Sequence, residues 1–147
     1  MQQRQMARPP ISFWVVGVLS LIWNAFGGLD YTMTRLRNLD YLSSAGDPQV
    51  LLAWIDGFPL WAQAAWALGV WGSVAGSLLL LLRSRHAVLA FAVSALGALL
   101  SFGYQFTHAI PPELDTTAGK VMPVLIIVIV AFLLRFAQVE MRKGTLR

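Results

Sequence analysis

Apolar residues fall into four long blocks separated by short polar stretches: Ile11 to about Leu29, Pro59 to Leu82, Ala87 to about Phe106, and Val121 to about Val139. A helix rising 1.5 Å per residue needs about 20 residues to cross a hydrocarbon core, and the first three blocks supply them. The fourth has an uninterrupted apolar core of fourteen residues, Val121 to Leu134, flanked by Lys120 and Arg135. Both flanking side chains can snorkel outward and lengthen it. The pattern predicts an all-α membrane protein, a single domain over 1–147, with four transmembrane helices in an antiparallel bundle. The external loops are then about 30–58 and 107–120.

The first of these loops has a pattern of its own. Leu29, Met33, Leu36 and Leu39 or Tyr41 recur at helical spacing, which predicts an amphipathic extension of helix one beyond the bilayer. Ser43-Ser44-Ala45-Gly46 interrupts it. Asp47 then reads as an N-cap with Pro48 at the first helical position, and Gly57 as the stop. They enclose a short interfacial helix whose Leu51, Trp54 and Ile55 face the membrane surface. Pro59 opens span two, Pro111-Pro112 closes span three, and Pro123 fits the first turn of span four, or kinks it if that helix starts earlier.

Composition agrees with lipid as the solvent: hydrophobic residues are 57% and charged residues 12%, about half the charge of a soluble domain. Arg4, Arg8, Arg83, Arg85, Arg135, Arg142, Lys143 and Arg147 fall on one side of a four-span topology, eight of the eleven basic residues. The other side holds Arg35, Arg37 and Lys120 with Asp30, Asp40, Asp47, Asp56, Glu113 and Asp115. The positive-inside rule predicts both termini in the cytoplasm. The net charge of +4 is therefore a topology signal and not a nucleic-acid signal. The N-terminus also resembles a signal peptide, with a weak cleavage site at Ala25-Phe26-Gly27. The apolar run is long for a signal core, so a retained anchor is expected. The absence of cysteine removes disulfides, thiolate metal sites and iron–sulfur clusters.

Candidate chemistry is sparse. Gly69, Gly72, Ser73 and Gly76 in span two face a matching stripe, Ser94, Gly97 and Ser101, in span three. Small residues at this spacing let helix backbones approach in lipid. Packing within the chain is the favoured reading, with homodimerisation as the other. Nearer the external side lie Asn24, Asp30 and Tyr31 from span one, Gln63 and Trp66 from span two, and Tyr104, Gln105 and His108 from span three. Two readings stand for these. They line a shallow outward-opening pocket for a small molecule, or Asn24, Gln63 and Gln105 hydrogen-bond to neighbouring helices. His86 and His108 are about 33 Å apart along one helix and cannot share a metal. No nucleophile triad, phosphate loop or metal motif is present, so neither catalysis nor a cofactor is expected.

WNAFGGLDYTMTRLRNLDYL, continued by GFPLWAQAAWALGVWGSVAGSLLLLLRSRHAV and SFGYQF, resembles a group of small bacterial membrane proteins that are often labelled "sugar transporter". The resemblance covers Phe13 to Phe106 and is strongest at the WN, DY and FP-W patterns. It implies a four-span inner-membrane protein that handles a solute, and brings no binding residues with it. Four-helix exporters of the small multidrug resistance type rely on a membrane-embedded carboxylate, whereas here no acid occurs between Asp56 and Glu113. Two functions are weighed: binding or transport of a solute, and a non-catalytic accessory subunit of a larger membrane complex. Expected partners are the lipid bilayer and either further copies of this chain or that larger complex, with the small-molecule ligand unidentified.

Overall fold

A computed structural model describes residues 8–147; Arg4 of the basic N-terminus lies outside them. Among the described residues all regular structure is helical: α1 Ile11–Arg35, α2 Leu39–Leu42, α3 Pro48–Asp56, α4 Leu60–Leu81, α5 His86–Thr107 and α6 Thr117–Arg142, with a 3₁₀ turn at Pro112–Leu114. α1, α4, α5 and α6 are long and apolar enough to cross a membrane. They leave Ile22, Phe26, Leu68, Leu89, Leu96, Leu99, Val128 and Phe132 exposed. Such a belt is a liability in water and the ordinary solvated surface in lipid. The chain is a multi-pass helical membrane protein.

Local chemistry sets the helix ends. α1 continues past Leu29 to Arg35 and stops where Arg37 turns left-handed, at φ 54°. The Arg37 and Asn38 amides donate back to the Thr34 and Met33 carbonyls, a Schellman closure usually built on glycine. Asn38 then caps α2 by accepting from the Tyr41 amide, so the amphipathic extension is interrupted before Leu39. Asp47 accepts from the Gln49 amide at 2.8 Å with Pro48 at the first helical position, and Gly57 ends α3, as the sequence predicts. α6 begins four residues before Val121 because the Thr116 hydroxyl accepts from the Gly119 amide. Pro123 therefore lies inside that helix, where it withholds the N–H that would serve the Gly119 carbonyl.

The spans pack as neighbours in chain order, α1 on α4, α4 on α5 and α5 on α6. α4 and α5 form the closest pair. A Cβ on Gly97 would lie 2.5 Å from the Ala65 carbonyl oxygen and 2.6 Å from the Gly69 nitrogen. One on Gly72 would meet Ser94, and one on Gly76 the Phe91 ring. Ser94 donates across the seam to the Gly69 carbonyl. Ser73 belongs to the other side, its carbonyl accepting from Asn24 of α1, while Ser101 is buried. The small-residue stripe is thus occupied within the chain.

Both ends of the bundle are closed, by different means. At the terminal end, Phe13, Leu80, Ala87, Phe91, Val130, Leu133, Ala137 and Leu146 form one buried apolar cluster drawn from all four spans and the C-terminal tail. The tail folds back on the α4–α5 turn: Arg147 N donates to the Arg83 carbonyl, and Arg85 N to the Arg147 carbonyl, both at 2.7 Å. At the loop end, residues 36–59 and 108–116 cover the bundle, and α3 lies across it with Leu52 and Ile55 buried.

Candidate functional site

α3 divides the loop end into two recesses. Its Leu52, Ile55 and Asp56 side borders one and its Ala53 and Trp54 side the other. The amphipathic spacing does this: Leu52 and Ile55, three apart, are buried against the bundle, while Trp54 packs edge-to-face on Phe58 with ring centroids 5.0 Å apart. Ile55 therefore points inward, where the sequence pattern suggested the membrane surface.

The larger recess, about 340 Å³, is lined by Ala53, Trp54, Gly57, Phe58, Tyr104, Gln105, His108 and Ala109. It falls at the small end of the range for ligand pockets, about 300–1,000 Å³. Its wall is a chain of edge-to-face rings, Trp54 on Phe58 and Phe58 on Tyr104, the latter pair 5.2 Å apart. Trp61 supports Tyr104 from behind at 5.5 Å. None of the lining residues is an acid, a lysine or an arginine.

Two of its polar side chains, Gln105 and His108, bring acceptors to it. The His108 ring stacks on Tyr104 at 4.0 Å, and its Nδ1 lies 2.8 Å from the Tyr104 carbonyl. A carbonyl only accepts, so Nδ1 carries the hydrogen, and in that tautomer of the imidazole Nε2 is an acceptor. Gln105 donates through Nε2 to the Ser101 hydroxyl at 3.3 Å, and its Oε1 accepts no hydrogen bond among the described residues. The lining thus combines aromatic surface with two unfilled acceptors and the Tyr104 phenol.

The smaller recess, about 140 Å³, is lined by Thr34, Arg35, Arg37, Leu52, Ile55, Asp56 and Gln63. Arg37 holds Asp56 with two bonds, 2.8 and 3.0 Å. Gln63 links helices, accepting from Arg35 at 3.1 Å and donating to the Phe58 carbonyl at 3.0 Å.

The remaining residues singled out from the sequence lie elsewhere. Asn24 is buried between α1 and α4, donating to the Ser77 hydroxyl at 2.8 Å and the Ser73 carbonyl at 3.2 Å. An amide in an apolar span needs such partners. Asp30 accepts from the Tyr41 hydroxyl at 3.0 Å and ties α2 back to α1. Burial, and then the Asp30 carboxylate it bonds to, raise the Tyr41 phenol above its ordinary pKa. Tyr31 packs edge-to-face on Trp66 at 4.7 Å and Trp71 at 6.0 Å. The eight residues are distributed over two recesses, a helix seam, a loop tie and an aromatic cluster.

One polar group stands out that the sequence pattern did not. Glu140, near the end of α6, is 3% exposed. Its Oε1 accepts from Lys143 at 2.9 Å, while Oε2 is buried without a partner among the described residues. Its neighbours in sequence are charged and suggest a solvated helix end; burial comes from the tail, whose Thr145 amide returns to the Glu140 carbonyl. No protein-family model, curated protein or solved structure matches the chain.

Proposed function

We propose that this chain is a non-enzymatic protein of the bacterial inner membrane, with both termini in the cytoplasm, that binds a small neutral polyhydroxylated solute, a sugar, in the aromatic recess between α3 and α5. One observation carries this reading: an uncharged recess of about 340 Å³ whose aromatic wall borders unfilled acceptors at Gln105 and His108. Sugar hydroxyls donate to such acceptors, and the C–H faces of a pyranose lie against aromatic rings. A charged solute would find no counter-ion there. Passage across the membrane would follow from binding only in an oligomer, since α4 and α5 carry no carboxylate to couple it to protons.

Trp54 lines the recess and serves as the reporter. Titrating a panel of neutral hexoses and pentoses into protein in mild detergent should change its fluorescence. Gln105→Ala and His108→Ala should abolish the response, while Asn24→Ala, remote from the recess, should preserve it. A flat response across the panel sinks the proposal. Gentle extraction as a stoichiometric complex with a larger membrane protein, free of any co-purifying small molecule, would make the chain an accessory subunit instead.

A further inference from the structure

We infer that the smaller recess is an oxyanion site, in which Arg35 takes the phosphate group of an anionic ligand at the loop end of α1. This does not rest on the sugar reading, because the two recesses lie on opposite sides of α3. The recess lining carries two arginines and one carboxylate. Asp56 is neutralised by both of its bonds from Arg37. That leaves Arg35, whose single bond is to the uncharged Gln63 Oε1 and which has no carboxylate within ion-pair distance among the described residues. A guanidinium has five N–H donors in a planar fork that matches phosphate oxygens. The lining therefore holds one more arginine than carboxylate, with guanidinium donors to spare.

Two contacts border that charge. Arg37 sits at φ 54°, a conformation an L side chain rarely adopts, and its Nη2 bonds both carboxylate oxygens of Asp56 at the end of α3. Gln63 is anchored from its other end by the Phe58 carbonyl. In height, Arg35 lies just past the apolar belt: Phe26 and Leu29 are exposed apolar residues, and Asp30 follows one residue later. A span ending at that level puts the guanidinium beside lipid phosphates. The chemistry recognised is a phosphate mono- or diester oxyanion, from a lipid headgroup or from solution.

The test is competition of phosphatidylglycerol against phosphatidylcholine on the full chain in neutral detergent, read by native mass spectrometry. The wild type should prefer phosphatidylglycerol about tenfold, the change one charge-assisted hydrogen bond carries. Arg35→Gln should erase the preference. Gln63→Glu should erase it too while keeping the α1–α4 link, since the new carboxylate would pair with Arg35. That variant separates loss of the site from loss of the fold. Arg142→Gln, an exposed arginine at the other end, should leave the preference intact. In a second arm, inorganic phosphate is titrated at constant ionic strength. A melting temperature raised in the wild type and not in Arg35→Gln, without lipid preference, would assign the site to a free anion. Arg35→Gln and Gln63→Glu proteins that match the wild type in both arms would overturn the inference.

Discussion

The two ends of the bundle solve the same problem in opposite ways. The terminal end is closed by hydrocarbon: Phe13, Phe91, Leu80 and Ala137 are fully buried, and the tail adds Leu146. The loop end is closed by a short amphipathic helix that spans the opening without filling it, leaving a recess on each side. Association of helices in lipid gains little from a hydrophobic drive, so stability depends on contact and on hydrogen bonds. Close contact is concentrated at the terminal end and along the α4–α5 seam. The two recesses, one aromatic and one polar, both lie at the loop end.

Equal deletions at the two ends test this most directly. Phe91→Ala removes a fully buried ring and should cost about 3 kcal/mol or more. Phe58→Ala removes a ring of the same size, 7% exposed but bordering the larger recess, and should cost less because it leaves less new cavity. Equilibrium unfolding in mixed detergent measures both. Equal costs would mean that the loop end is as tightly packed as the terminal end.

The seam gives the next effect. Gly97→Ala places a methyl against backbone atoms of α4, which cannot rotate away, and should destabilise by about 2 kcal/mol. Gly103, on the same helix towards the loop end, has nothing within 4 Å of its Cβ position. Gly103→Ala should therefore stabilise, by about 0.5–1 kcal/mol, through helix propensity. A neutral Gly97→Ala would show that the two helices can separate at no cost.

Glu140 is the exception in the dry end. Replacing a buried, half-satisfied carboxylate by an apolar side chain of similar volume is often neutral or favourable, and Lys143, 60% exposed, loses little when its partner goes. Glu140→Met should raise stability by about 1 kcal/mol in the same assay. A loss of that size would mean that the carboxylate organises the tail, and would remove the terminal end from the class of purely apolar closures.

What could be read in the sequence follows the range of the forces involved. Asp47-Pro48 and Pro59 locate helix starts because a cap acts over one turn. Thr116 does so as well, but its cap lies in a polar stretch outside the apolar block, so α6 starts earlier than hydropathy suggests. The pairing of Gly69 and Gly72 with Ser94 and Gly97 was legible because the turn joining the two helices is short. The site was not legible as a unit. Gln63 and Gln105 both lie near the loop ends of their helices, yet they line different recesses on opposite sides of α3. That placement depends on Leu52 and Ile55 finding the bundle, a contact with no local signature. Glu140 reads as part of a charged tail until Arg83 donates to the Thr145 carbonyl at 3.0 Å and the tail closes over it.

The smallest effect belongs to the loop end and depends on pH. The Tyr41 hydroxyl donates to Asp30, so the bond requires the protonated phenol. Burial and the adjacent carboxylate raise its pKa in the folded chain. A group raised on folding contributes stability that is complete below its unfolded pKa, about 10 for tyrosine, and is lost as pH rises through the folded value. Ionisation would then set two anions side by side and release α2 from α1. Proteolytic nicking at Ser43–Gly46, the exposed stretch after α2, should accelerate above about pH 10 in the wild type. Tyr41→Phe lacks the bond at every pH, so its nicking should be faster at neutral pH and should show no tyrosine-linked rise. The tail at the terminal end has no phenol in its contacts and should not follow this titration. A Tyr41→Phe protein with the wild-type pH profile would assign the opening to another group and leave the Tyr41–Asp30 tie without a role in holding the loop end closed.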